Sequence, residues 1–307
     1  MKFTGCLPAL LLAGAAAACG AAPLADHHQH LLNASMAETG QQPILAKDLI
    51  AMLDAAGIRR AVILSNAFRF GDPRIPSQGG EYARVIAEND WTALEAAKYP
   101  KRLVAFCSFN PLKEYALGEL ARCAGAKRFG RGIKLQFGSS DVDLDDPIDV
   151  AMLRRVFRAA NSNRMAIVVH LRTARRRPYG AAQARVVIDE LLAAAPDVRV
   201  QIAHLAGGGG GSLDAGAEEV LGVFEDAFAR HDPRLKNLYF DLSGAVGGEG
   251  WPARAPVIAR HVHALGVAHV VYGSDGGDPT DPPAKSVVEA YRQLPLSNAE
   301  FNVIDGN

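Results

Sequence analysis

Eight short apolar runs, separated by longer segments of helical period, restrict the fold of this chain more than any other feature. They fall at 23–30 (PLADHHQH), 61–65 (AVILS), 102–109 (RLVAFCSF), 132–137 (GIKLQF), 165–171 (MAIVVHL), 198–205 (VRVQIAHL), 237–243 (NLYFDLS) and 268–274 (AHVVYGS). Most are nearly continuous in apolar residues, as strands of a parallel sheet buried on both faces must be. Between them, stretches such as 48–57, 81–100, 151–163 and 181–197 repeat apolar residues at three and four, the period of an amphipathic helix. Gly57, Pro100 and Pro196 stand where those helices should stop. Eight strands alternating with helices leave a closed barrel or an open doubly wound sheet. An open sheet usually carries a glycine fingerprint after its first strand, whereas here the first strand ends in histidines. The pattern predicts an α/β chain, a single-domain (β/α)8 TIM barrel over residues 24–307.

The 307 residues are 49% hydrophobic and 21% charged, with zero formal net charge. One barrel core of about 250 residues suits that composition. The charge balance gives no reason to invoke nucleic acid. No repeat of solenoid type and no low-complexity linker divides the chain.

The N-terminus reads differently. Met1-Lys2 precedes an apolar run from Leu7 to Ala18, and one early cation, a short apolar core and small residues describe a secretory signal. The run is too short to span a membrane, which needs about 20 apolar residues. Residues 1–19 are therefore read as a signal segment ahead of the barrel. Ala16-Ala17-Ala18-Cys19 resembles a bacterial lipoprotein box, which would place a lipid anchor on Cys19; ordinary cleavage after Ala18 or Ala22 is the rival. Either route predicts export to the periplasm, free or membrane-anchored. An anchor at Cys19 would enter the first strand at the barrel bottom and hold the mouth away from the membrane. Cys107 and Cys123, on a predicted strand and the helix after it, are read as two buried thiols.

The chemistry gathers at strand ends. In Asp26-His27-His28-Gln29-His30, strand alternation puts His28 and His30 on one face, able to grip a single ion. His170 ends the fifth run, His204 the sixth, and Asp275 follows the eighth. Each polar residue stands just past an apolar strand core, at the end of a barrel where active sites assemble.

On His28-x-His30, His170, His204 and Gly273-Ser274-Asp275, the chain resembles the amidohydrolase superfamily. More narrowly, it is similar to the amidohydrolase-related group that includes the aminocarboxymuconate-semialdehyde decarboxylases. The resemblance implies a small-molecule substrate and a divalent metal, zinc first and one ion before two. His28, His30, His170 and Asp275 would hold it, with His204 beside the metal as a further ligand or a hydrogen-bonding partner. Asp275 would move the proton, and His204 would orient the substrate or polarise its carbonyl. Lys134 occupies the place where binuclear members carry a carboxylated, bridging lysine. Its alternatives are a carboxylate-paired barrel lysine or one that contacts substrate.

Arg172, Arg175, Arg176 and Arg177 follow the fifth strand, and Arg69 and Phe70 the second. Arg172 and Arg69 are the candidate substrate contacts, because guanidinium forks suit carboxylates; a solvated basic loop is the plain alternative. The Gly207–Gly211 run lacks the ending of a phosphate loop and is read as mobile backbone or close backbone approach. His27, His231, His261, His263 and His269 are read as packing or surface residues. The chain stops at Asn307 where relatives continue into a terminal helix, so a short or missing final helix is expected, with doubt about closure of the barrel bottom.

Three functions follow. The first is hydrolysis of an amide, ester or lactone bond, and the second is non-oxidative decarboxylation on the same scaffold. The third is a non-catalytic ligand-binding lipoprotein, disfavoured because no ligand is missing.

Overall fold

The computed structural model describes residues 22–37, 41–76, 79–211, 213–248, 250–277 and 281–307. Residues 1–19, read above as a signal segment and containing Cys6 and Cys19, lie outside the described residues.

All eight predicted runs are strands: β1 Ala25–Gln29, β2 Arg60–Leu64, β3 Leu103–Ser108, β4 Gly132–Gln136, β5 Ala166–His170, β6 Val200–Ile202, β7 Leu238–Asp241 and β8 Val270–Val271. They pair in parallel in chain order, β1 to β8. Helices fill the intervals: α1 Ala46–Ala56, α2 Glu81–Ala97, α3 Ala116–Gly125, α4 Phe137–Ser140, α5 Pro147–Ser162, α6 Ala181–Val186, α7 Ala215–Ala229, α8 Trp251–Leu265, α9 Ala284–Tyr291 and α10 Asn298–Gly306. Their starts are written locally. Pro147 opens α5 behind Asp146, whose Oδ1 accepts the Ile148 amide at 2.8 Å, and Asp214 caps α7 by accepting the Ala217 amide at 3.0 Å.

The doubt about closure is corrected. α9 and α10 follow β8, and the Leu24 amide reaches the Asp305 carbonyl of α10 at 3.3 Å. The last strand segment joins β1 through His27 N to Tyr272 O at 2.9 Å, Asp275 N to His28 O at 2.9 Å and His30 N to Gly276 O at 2.7 Å. Eight- and nine-residue helices are enough to complete the ring.

The two-thiol expectation is also corrected: Cys107 and Cys123 form a disulfide. Cys123 lies on the buried face of α3, which returns across β3. That return brings the two Cα atoms to 6.4 Å, inside the range a disulfide spans.

Several strands end where the chemistry begins. His204, Leu205, Ala206 and Asp275 all take left-handed backbone, with φ of 59°, 48°, 61° and 60°. Non-glycine residues hold such conformations only when the surroundings enforce them, and they cluster at functional sites. The sharp turns aim His204 and Asp275 back over the barrel axis instead of letting β6 and β8 run on.

Candidate metal centre

Asp26, fully buried on β1, ties the two strands that supply the centre. Its carboxylate accepts from the His28 amide at 3.0 Å, Gln29 Nε2 at 2.7 Å, the Ser274 amide at 3.1 Å and Ser274 Oγ at 2.6 Å. That clamp fixes Asp275 beside His28. Gly277 completes the approach: at φ 137°, any β-carbon there would stand 2.4 Å from the His30 Cβ.

His28 is fully buried, and its Nδ1 donates to Asp241 Oδ2 at 2.9 Å. His30 Nδ1 donates to the Leu64 carbonyl at 2.7 Å. With both Nδ1 protons committed, each ring turns a lone pair inward, and the two Nε2 atoms face one another at 3.3 Å. Asp275 Oδ1 stands 3.2 Å from the first and 3.8 Å from the second. Acceptors that face acceptors repel unless a cation lies between them. Ligand atoms about 2.1 Å from one ion stand about 3.0–3.4 Å apart, the spacing of His28 Nε2 from both His30 Nε2 and Asp275 Oδ1. The donor set therefore fits a divalent metal.

His204 Nδ1 reaches the Ser243 carbonyl at 2.9 Å and lies 3.7 Å from Asp275 Oδ2. His28, His204 and Asp275 each place a ligand atom within 4.8 Å of the others. His170, on β5, brings its ring centroid to 4.5 Å from that of His204. Lys134, 1% exposed, points its Nζ at His28 Nε2 across 3.2 Å. The five metal and catalytic candidates and Lys134 thus meet at one place.

The electrostatics fit the same reading. Burial pulls His30 down to about 3, reinforced by His28 and opposed by Asp275, and burial likewise keeps His170 and His204 neutral. Neutral imidazole is the metal-binding form. Burial pushes Asp275 up, but the surrounding groups, the Lys134 ammonium among them, hold its carboxyl below the ordinary value. Burial lowers Lys134 to about 8 against the pull of Asp241 and Asp275.

Asp241 is not singled out in the sequence, although it ends the apolar Leu238-Tyr239-Phe240 run as the other site residues end theirs. Besides His28 it accepts from the His204 amide at 2.9 Å, Gln201 Nε2 at 2.5 Å and Ser243 Oγ at 2.5 Å. Burial alone would raise its carboxyl, but His28, His204 and Ser243 hold it well below the usual carboxylate range. A carboxylate behind a ligating imidazole fixes the tautomer and strengthens the ligand. Ser243, which also contacts both rings at about 3 Å, is the second residue the sequence leaves unmarked.

The candidate substrate arginines divide. Arg172 lines the cavity above His170, yet both its Nη atoms are held by the Asp214 carboxylate and its plane packs over Tyr179. Arg176 and Arg177 pair with Asp141, and Arg177 also with Asp143 at 2.9 Å. Arg175 lines the same cavity, exposed. Arg69 lines a different cavity, beside the mouth. The glycine run serves close approach: a β-carbon on Gly244, at φ 59°, would come within 3.0 Å of the Gly209 Cα. His261 is a packing residue, buried between Glu225 and Glu218, and His263 pairs with Glu300 at 2.9 Å.

Comparison with known proteins agrees with the architecture. The structure superposes on 2,6-dihydroxybenzoate decarboxylase from Rhizobium with a TM-score of 0.64 at 15% identity, covering 92% of this chain and 96% of that one. A dihydroxybenzoic acid decarboxylase from a Polaromonas species, holding manganese and the inhibitor 2-nitroresorcinol, gives 0.61 at 14% identity over 92% and 94%. A probable 2-pyrone-4,6-dicarboxylic acid hydrolase from Acinetobacter baumannii, with citric acid bound, gives 0.58 at 15% identity over 92% and 96%. At such identities these likenesses establish a shared fold. No curated protein matches the sequence. The family model described as amidohydrolase matches residues 25–297, which span β1 through the last strand and every candidate ligand. The chain therefore belongs to the amidohydrolase family.

Proposed function

We propose that this chain is a metal-dependent lyase that releases CO2 from a small carboxylated molecule without an oxidant. The observation that carries the metal is the pair of inward lone pairs on His28 and His30, 3.3 Å apart with Asp275 beside them. Decarboxylation is placed ahead of hydrolysis because two of the three solved relatives described above are decarboxylases.

A divalent ion bound here would supply Lewis-acid chemistry, polarising a substrate oxygen or activating water. His28, His30, His170 and Asp275 would hold it, with His204 next in line. The imidazole-rich donor set favours zinc; manganese, present in the Polaromonas relative, is the rival. The remaining work falls to side chains. When the carbon–carbon bond to the carboxylate breaks, its electron pair stays on the substrate carbon, and a proton must take the place of CO2. Asp275, the site carboxylate with 28% of its side chain exposed toward the mouth, is placed to carry that proton. His204, 3.7 Å from Asp275 Oδ2, orients the substrate. Lys134 balances the negative charge gathered at the base. The cavity above, about 390 Å³ and lined by Gln136, Ser139, Thr173 and Arg175, suits a small acid.

Hydrolysis of an amide, ester or lactone is the second reading. Lys134 supports it, because its Nζ already lies among the ligand atoms, where a carboxylated lysine would bridge two ions. The deciding experiment offers the metal-loaded protein hydroxybenzoates and other carboxylated aromatics, then lactones, esters and amides. Metal-dependent CO2 release with one ion per chain supports the first reading. Ring opening or bond hydrolysis with two ions moves the assignment to the second. No turnover of either set leaves a ligand-binding lipoprotein.

The proposal includes export, with Cys19 as a lipid anchor. The Cys107–Cys123 disulfide supports an oxidising compartment. Recovery of the protein wholly unacylated in the soluble periplasmic fraction would remove the anchor.

A further inference from the structure

A cavity of about 630 Å³ opens beside the mouth, between the segment after β1, the turn after β2 and α2. The segment after that turn separates it from the metal centre. Asp72, Pro73 and Ile75 line this cavity, while Arg74 lines the one above His170. Arg74 closes back on Asp72 through Nε at 2.9 Å and Nη2 at 2.6 Å, which braces the partition.

Glu88 on α2 borders the cavity and is 2% exposed. Its Oε2 accepts from Asn33 Nδ2 at 2.9 Å, and the Thr92 side chain and the Arg69 charge also favour the ionised carboxyl, whereas Oε1 is buried with no hydrogen-bond partner among the described residues. A buried carboxylate oxygen is rarely left in that condition. Arg69, also lining the cavity, is exposed, and its guanidinium makes no hydrogen bond to a described residue. The other charges are engaged: Glu81 takes Lys113 at 2.9 Å and the Tyr115 hydroxyl at 2.7 Å, and Arg84 packs over the Phe70 ring. The lining charges balance, with Arg69, Arg84 and Lys113 against Asp72, Glu81 and Glu88. Met36, Phe70 and Ile75 supply apolar wall.

We infer that this cavity is a second ligand site, distinct from the metal centre, and that it takes a small amphoteric molecule of amino-acid or dipeptide size. The amino group donates to Glu88 Oε1, the carboxylate meets Arg69, and an apolar side chain lies on Phe70, Met36 and Ile75. A ligand with one charge satisfies only one of the two open groups. Burial already lifts the Glu88 carboxyl to about 7, so a bound ammonium readily ionises it.

The test is calorimetric titration of the full-length protein with L-leucine, L-methionine, L-phenylalanine and glycyl-leucine. 4-Methylpentanoate and 3-methylbutylamine are leucine's two single-charge analogues. At least one zwitterion should bind, and leucine should bind about tenfold or more tightly than either analogue. Glu88→Gln and Arg69→Ala should each weaken the bound zwitterion by about tenfold, with metal content unchanged. Arg69 is exposed, so the unfolding midpoint of Arg69→Ala should match wild type, which separates lost binding from any change in folding. The inference is overturned when no zwitterion binds, when the analogues match leucine, or when Arg69→Ala leaves affinity unchanged.

Discussion

Two places in this protein bury histidine against carboxylates, and they engage the imidazole nitrogens in different ways. At the seam between α7 and α8, His261 is 1% exposed, with Nδ1 against Glu225 at 2.5 Å and Nε2 against Glu218 at 3.2 Å. Arg260 also approaches His261 Nε2 at 3.0 Å, so both ring nitrogens have protein partners there. At the barrel centre, His28 is as deeply buried and its Nδ1 is held by Asp241, but its Nε2 faces the Nε2 of His30 and a carboxylate as well as Lys134 Nζ. Burial and carboxylates are common to both places. What separates a packing histidine from a ligand is the direction of the lone pairs once the committed protons are assigned. Glu88 is an intermediate case, a buried carboxyl with one unpartnered oxygen that burial lifts to about 7.

That contrast can be broken most strongly by removing the cation. Dialysis against chelator should destabilise the protein by about 3–4 kcal/mol, the linkage expected for a ligand held at 100 to 1,000 times its dissociation constant. Differential scanning calorimetry, with and without restored zinc, checks it. An unchanged midpoint would make the centre as self-sufficient as the seam. A smaller effect is expected from Asp241→Asn, which keeps the volume but loosens the grip on His28 Nδ1. Metal affinity should fall about 10–100-fold by competition titration.

Next is the proton at Glu88. Its folded value lies above the ordinary carboxylate value of 4.5. The folded state therefore holds the extra proton between about 4.5 and 7, and stability falls as pH rises through that window. Glu88→Gln should flatten the slope and gain of order 2 kcal/mol above it, measured by urea unfolding at several pH values. The smallest effect is expected at the seam. His261→Gln should cost about 1–2 kcal/mol, the loss of buried hydrogen bonds to charged partners, and should leave metal content untouched. Metal loss in that variant would erase the distinction between the two clusters.

The barrel was legible because buried parallel strands must be apolar throughout, and all eight runs stand out against helical spacing. The candidate ligands stand out for a related reason: polar residues that terminate such runs have few structural duties. Asp241 carries the same signal at the end of β7, and its role shows only in the packed structure, where it holds the candidate ligand His28. Other features depend on distant partners. Asp214 caps α7 and takes the Arg172 fork from 42 positions away, so an arginine that reads as a substrate contact is already occupied. The Cys107–Cys123 bond depends on how α3 returns over β3, which no local pattern encodes. Glu88 sits in a helix of ordinary amphipathic spelling, and only the packed structure isolates its Oε1.

Elemental analysis of protein purified without chelator or added metal tests the central claim most directly, comparing wild type with His28→Ala/His30→Ala. The account predicts about one divalent ion per wild-type chain and almost none in the variant, with the circular dichroism of the barrel preserved in both. Equal metal content in the two proteins, or none in wild type even after reconstitution, would contradict it.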